Sequence, residues 1–361
     1  MIDRAREIAL KVLYDIDKND AYSNIALDEA LKQTRKNSYE IDQRDIGFIS
    51  EIVYGTISWR LTIDEIIKKY SNIKIKKISP WILNILRMSI YQILFLDKVP
   101  KSAAVNEGVN LAKRYGHKAS SNFVNAILRK VEKKDYEEFF KIKNNVERIS
   151  KTTSMPVWIV DELLKQNTLK KVEDICRCSN LKPKLAIRVN TLKTNRQTLR
   201  KELEKEKIKV KEGDTERFLL LEEAKNIEGL KSFQNGEFTV QDEAAGYIPK
   251  ILNPKPNEKV LDACSSPGGK TSYMAELMKN QGVIKAWDLH EHRIKLVEKT
   301  AKRLGITIIE TEVKDASIYE ETYFEFFDKI LLDEPCLGIG VLKRKPDIKW
   351  KRKKEDIEKN V

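Results

Sequence analysis

Residues Val260–Thr271 read VLDACSSPGGKT. Three hydrophobic or small residues run into a Gly-Gly-Lys-Thr, so a short buried strand gives way to a glycine turn and then a helix. The last eight residues come close to the phosphate-binding pattern GxxxxGK[ST]. Gly269, Lys270 and Thr271 are in place, but Cys264 stands where the first glycine should make the tight turn. Nor does Ser266-Pro267-Gly268-Gly269 supply the GxGxxG of a dinucleotide site.

A third ligand suits the loop better. In S-adenosylmethionine sites the turn after the first strand of a Rossmann-like sheet lies against the cofactor, which favours small residues and glycine. An acid about 20 residues further on is expected to bind the ribose hydroxyls, and Asp288 closes VIKAWD at that distance. Asp315, after the next strand, is placed to meet the adenine edge. Either acid alone is an ordinary strand-end turn residue. Together, at the carboxyl ends of consecutive parallel strands, they point to a cofactor crevice.

The surrounding pattern fits such a sheet. KVLDAC, GVIKAWDL, ITIIETEV and FDKILLDEP read as strands, with TSYMAELMKN and EHRIKLVEKTAKRLG as helices between them. Strands alternating with helices imply βαβ units and parallel pairing. The last strand ends in LLDEPCLGIGVLKRKPDIKW, which puts the thiol of Cys336 at the mouth of the crevice. A thiolate added to carbon-6 of cytosine makes carbon-5 enamine-like and able to take a methyl group, and proton loss from carbon-5 then expels the thiol. The plainer reading of Cys336 is a small hydrophobe after a strand. Lys343–Lys354, KRKPDIKWKRKK, follows with eight basic residues, one acid and Trp350. A charge run is usually a solvated face; this one, beside the crevice and with an aromatic inside it, suits a phosphate backbone or a stacked base.

Upstream the texture differs. In RAREIALKVLYDID, Ala5, Ile8, Ala9, Val12, Leu13 and Ile16 share one helical face. SPWILNILRMSIYQILFLD opens with Ser79 as N-cap and Pro80 at the first helical position, and it is apolar nearly all round, as a central bundle helix would be. We expect an all-helical domain over 1–135, a charged linker over 136–150, a small α+β region over 151–236 containing the strand of KPKLAIRVNTLKTN, and the Rossmann-like domain over 237–361.

The chain has 361 residues, of which 41% are hydrophobic and 34% charged, and 68 Lys+Arg against 55 Asp+Glu leave a formal charge of +13. That excess favours a polyanionic partner. Four cysteines are too few for a disulfide scaffold, and Cys176-Arg177-Cys178 has no second pair or histidine cluster nearby to complete a zinc site. The N-terminus MIDRAREIALKVL lacks the apolar stretch of a signal peptide, and no run approaches the roughly 18 apolar residues of a membrane span. The sequence reads as that of a cytosolic protein with no membrane partner and no metal.

LDACSSPGGKT, WDLHEHRI, VKDA and LLDEPCLGIGVLKRKPDIKW resemble motifs of the bacterial 16S ribosomal RNA (cytosine-5) methyltransferases of the Sun/Fmu type. SMPVWIVDELLKQN, LAIRVNTLKTN and FTVQDEAAGYIPKIL look like that family's middle region, and ALKVLYDID, DIGFISEIVYGTISWR and SAAVNEGVNLAKRYG like its NusB-like RNA-binding domain. The resemblance covers essentially the whole chain. It implies S-adenosylmethionine as cofactor, 16S ribosomal RNA as partner, and a cofactor site lined by Cys264, Ser265, Ser266, Pro267, Gly268, Gly269, Lys270, Asp288, Asp315 and Asp333, with Cys336 catalytic. The loop is then the family's C-A-A-P-G-G-K element rather than a degraded phosphate loop.

There are departures. Glu334 replaces the family's alanine, and Leu337 its small residue after the cysteine. In the family the covalent nucleophile is a second cysteine beyond the fourth strand, and the Pro-Cys thiol assists product release. No cysteine follows Cys336, and KKEDIEKNV ends inside an expected helix. The expectation is therefore a sheet incomplete at its C-terminus. The rival reading is an RNA-binding protein with a vestigial cofactor crevice.

Overall fold

The computed structural model describes residues 2–36, 42–222, 224, 226–334 and 336–358. It divides into two compact units, one of residues 1–182 with 337–361 and the other of residues 183–336.

The first unit is helical: α1 (Arg4–Asn19), α2 (Ser23–Lys36), α3 (Gln43–Ser58), α4 (Arg60–Tyr70), α5 (Pro80–Phe95), α6 (Lys101–Tyr115), α7 (Lys118–Lys130), α8 (Lys133–Glu137), α9 (Asn145–Thr153), α10 (Val157–Leu164) and α11 (Leu169–Cys178). Asp3 caps α1 by accepting from the Arg6 amide at 2.8 Å, and the expected face of α1 is buried. Every residue of α5 from Ile82 to Leu94 is buried, as a central helix requires. Pro80 holds the first helical position, while Ser79 precedes it without a side-chain capping bond. Amid this apolar packing the buried Arg87 makes a two-pronged bond to Asp64 at 2.7 and 2.8 Å and a third to Asp17 at 2.7 Å.

The segment 136–150, expected as a linker, is folded into this unit. A capping box starts α8, and the buried Asp135 carboxylate accepts from Lys69 at 2.8 Å and Tyr70 at 2.6 Å. A 3-10 turn at Glu138–Lys141 then leads to α9. The charged residues mask this ordering, because half of each helical turn faces water.

The residues after Cys336 are expected from the sequence as part of the Rossmann-like domain; their packing is with the helices. They belong to the helical unit. Leu342 and Ile348 are buried with Ile149, Met155, Ile159 and Val160. Lys349 is 1% exposed, and its ammonium donates to Ser58 O at 3.2 Å, Ser154 O at 3.4 Å and Asn180 Oδ1 at 2.5 Å. The Trp350 indole donates to Ile57 O at 2.8 Å. Two members of the basic run are thus internal ties and not a surface for a phosphate chain. The terminal stretch forms only a 3-10 turn, Lys354–Asp356, where a helix was expected, and its last three residues lie outside the described residues.

The second unit holds two sheets. Strands β1 (Leu185–Val189), β2 (Lys209–Glu212), β3 (Phe218–Glu222) and β4 (Phe238–Val240), with α12 (Arg196–Lys205) after β1 and α13 (Lys231–Gln234) before β4, form an antiparallel sheet in the order β2-β3-β1-β4. This is a βαββαβ plait of ferredoxin-like topology. Next come α14 (Glu243–Leu252), β5 (Lys259–Asp262), α15 (Gly269–Leu277), β6 (Val283–Asp288), α16 (Glu291–Leu304), β7 (Ile309–Val313) and β8 (Lys329–Leu331). The last four strands are parallel in the order β7-β6-β5-β8, so the chain reverses its winding between β5 and β8. Open α/β sheets bind ligands beyond the carboxyl ends of strands at such a reversal. In the first unit, α17 (Ile348–Lys351) carries Lys349 and Trp350. No helix among the described residues is long and apolar enough to cross a membrane.

Candidate functional site

The glycine loop leaves the end of β5 at the point of reversal. It is pinned to β6 at once: the Ser265 amide and hydroxyl both donate to Trp287 O, at 2.8 and 3.0 Å. Gly268 closes the turn with φ +94°, a region open to glycine at little cost, and caps α15. A Cβ built there would stand 3.2 Å from the backbone of Val297 on α16, whereas at Gly269 the nearest neighbour is the Gln241 amide at 3.5 Å.

The acids expected at the site gather at the same edge. Asp288, 3% exposed, ends β6; it accepts from the His290 amide at 3.2 Å and lies 3.5 Å from Arg293. Its backbone carbonyl takes the Lys314 amide at 3.0 Å, which sets Asp315 at the next strand end. The Asp315 carboxylate accepts from the Ser317 amide and hydroxyl at 2.9 and 2.7 Å, and the hydroxyl bond above all holds its pKa below the ordinary range. Beyond β8, Asp333 pairs with Lys270 from the first turn of α15. Cys336 follows in an exposed position. Pro335 lies outside the described residues.

Electrostatics separates the ligand classes. Burial raises the pKa of the Cys264 thiol, and the carboxylates of Asp262, Asp288, Asp333 and Glu334 raise it further. Burial also pushes Asp262 up to about 6, although the Thr271 hydroxyl donates to it at 2.7 Å. A loop surrounded by carboxylates, with its one lysine engaged by Asp333, repels a triphosphate. It suits a cationic sulfonium and a ribose whose hydroxyls need acceptors. The residues present therefore fit S-adenosylmethionine, and the phosphate reading fails.

Several residues that shape the loop were not among the expected cofactor-site residues. Asp262 and Thr271 fix its base. Arg188, read only as part of a strand, reaches from β1 to α15 and bonds Gly269 O at 2.7 Å, Ser272 Oγ at 3.0 Å and Glu276 Oε1 at 2.7 Å. An arginine flanked by hydrophobic residues in a short strand, LAIRV, was the available signal. A charge at an inward position of a buried strand needs a partner.

Comparison with known proteins agrees with this architecture. Family models match in three places: the NusB family over residues 3–133, a ferredoxin-like domain of RsmF/B-like methyltransferases over 155–228, and the 16S rRNA methyltransferase RsmB/F family over 249–361. The Bacillus subtilis (strain 168) "Probable ribosomal RNA small subunit methyltransferase B" is 40% identical over 97% of this chain and 77% of its own length. The Synechocystis protein of the same name is 36% identical, over 96% and 78%. The crystal structure of PH0851 aligns with a TM-score of 0.75 and 26% identity, covering 99% of this chain and 80% of that one.

Proposed function

The chain belongs to the ribosomal RNA small subunit methyltransferase B family of S-adenosylmethionine-dependent RNA methyltransferases, and on that premise we propose that it methylates carbon-5 of a cytosine in 16S ribosomal RNA. The observation that carries the reading is the convergence of the glycine loop, Asp288 and Asp333 at one sheet edge, with Cys336 three residues beyond Asp333.

When bound, the cofactor supplies an electrophilic methyl group on a sulfonium centre. In our reading the loop Cys264–Lys270 lies against it, Asp288 accepts from the ribose hydroxyls and Asp315 meets the adenine edge. Asp333 holds Lys270 in place beside the crevice. Cys336 acts at carbon-6 of the cytosine. As a thiolate it forms the sulfur–carbon bond that makes carbon-5 nucleophilic; after methylation, loss of the carbon-5 proton breaks that bond and restores the aromatic ring. Where another thiol makes the addition, Cys336 assists this elimination, as the family resemblance implies.

The test is transfer of labelled methyl from S-adenosylmethionine to small-subunit ribosomal RNA by wild type, Asp288→Ala and Cys336→Ser. We expect 5-methylcytosine with wild type and weakened cofactor binding in Asp288→Ala. Loss of both methylation and covalent RNA adduct in Cys336→Ser identifies the nucleophile; accumulation of a stable adduct identifies the elimination role. Salt-sensitive RNA binding without any transfer by wild type supports the non-catalytic reading instead.

A further inference from the structure

Arg188 sits in the interior of β1 and is fully buried, as is the side chain of Glu276 on α15. Its guanidinium lies 4.7 Å from the Tyr273 ring centre. One nitrogen, Nη2, serves Glu276 and Ser272. The other, Nη1, donates to the Gln241 side chain and to the main-chain carbonyl of Gly269. A buried ion pair is a poor source of stability, because desolvating both charges costs about as much as their attraction returns. An apolar pair would fill the same space. What the apolar pair could not do is grip the Gly269 carbonyl.

That carbonyl belongs to the peptide joining Gly269 to Lys270, directly after the left-handed Gly268. Gly269 itself has open space around it, with only the Gln241 amide at 3.5 Å. Side-chain packing at Gly269 is therefore sparse; within α15 its carbonyl takes the Ser272 hydroxyl at 3.2 Å, and the Arg188 bond is the tie that reaches it from outside the helix. We propose that Arg188 is a positioning residue for the cofactor loop, holding the Gly269–Lys270 peptide and the first turn of α15 so that the loop is already shaped before the cofactor arrives. The antiparallel sheet thereby takes part in cofactor binding without touching the cofactor. This rests on the reading of Cys264–Lys270 as the S-adenosylmethionine loop.

Arg188→Met alone strands the Glu276 carboxylate in the interior, so the decisive variant is Arg188→Met with Glu276→Met, which removes both charges at similar volume. Phe218→Leu serves as control: Phe218 packs against Tyr273 at 6.4 Å between ring centres, so the change loosens the same cluster and leaves the Gly269 carbonyl bonded. Three quantities are read on the full chain: thermal midpoint, S-adenosylmethionine affinity by calorimetry, and amide exchange over residues 264–272. The double variant is expected to stay folded, bind the cofactor about tenfold or more weakly, as loss of a supporting contact behind a binding shell does, and exchange faster over that loop than over β6. Phe218→Leu is expected to bind like wild type. Wild-type affinity and unchanged loop exchange in the folded double variant overturn the proposal, as does an equal loss in Phe218→Leu. Failure of wild type to bind S-adenosylmethionine overturns the cofactor reading, and loop exchange still decides the role of Arg188.

Discussion

Lys349 donates its ammonium to Asn180 Oδ1 at 2.5 Å, across 169 residues of sequence and inside the helical unit. The segment that follows Cys336 is thereby fastened among helices formed much earlier in the chain. Burial pushes the Lys349 pKa down to about 7 from an ordinary 10.5. Carbonyls of Ser58 and Ser154 and the Asn180 amide oxygen oppose the shift, since all three prefer the charged donor.

The sign of the resulting pH dependence follows from linkage. Between about 7 and 10.5 the unfolded chain binds the Lys349 proton and the folded chain does not, so stability rises with pH across that window and is flat below it. We expect the unfolding free energy of wild type minus that of Lys349→Met to rise from pH 7 to pH 10. A flat difference, measured by urea unfolding, would mean that the three oxygens keep the ammonium charged.

Trp350→Ala removes an indole packed on the core of the helical unit, with its bond to Ile57 O. The loss should be about 2–4 kcal/mol, and Trp350→Phe, which forfeits the hydrogen bond and little else, should lose about 1. Chemical denaturation followed by far-ultraviolet circular dichroism reads both. A shift in Trp350→Ala no larger than in Trp350→Phe would show that the ring contributes no packing.

Asp262 carries the opposite pH signature. Its folded-state pKa, raised by burial to about 6 from 3.8, makes the proton more tightly held in the folded chain. Stability from this group is complete below pH 4 and is lost as pH rises through 6, by about 3 kcal/mol for a shift of this size. Asp262→Asn still accepts from Thr271 and has no carboxylate to desolvate. Its thermal midpoint should match wild type near pH 4 and exceed it at pH 8. Equal midpoints at pH 8 would rule out a desolvation penalty.

Gly268→Ala and Gly269→Ala test the loop as a contrasting pair. The first combines φ +94° with a 3.2 Å approach to the Val297 backbone and should cost about 1–2 kcal/mol and weaken cofactor binding. The second meets only the Gln241 side chain and should cost under about 1 kcal/mol. Thermal shift with and without S-adenosylmethionine separates them; equal effects would place the constraint elsewhere in the loop.

How much of this was written locally follows from the range of the forces involved. VLDACSSPGGKT declared a strand, a turn and a helix because hydrophobic burial, glycine at positive φ and helix capping act within a few residues. The alternation behind it fixed a parallel sheet, and strand ends then brought Asp288, Asp315 and Asp333 to one edge. The short, charged edge strand β2, with only Val210 buried, leaves no clear local sign, because its exposed residues carry no alternation strong enough to override the helical KELEKEK before it. Residues 136–150 looked like a linker for the same reason.

What the sequence determined by itself was the strands and helices around the glycine loop and their order. Tertiary structure alone decided which charges go inside. A basic run with a tryptophan is, residue by residue, a solvated face. Lys349 becomes an internal tie because the main chain at Ser58 and Ser154 and the side chain of Asn180 converge on it. Arg188 becomes a strut because a helix from a different sheet offers it a carboxylate and a carbonyl together. Burying a charge is tolerable only where several partners meet. Such a meeting is a property of the folded chain, and no local pattern records it.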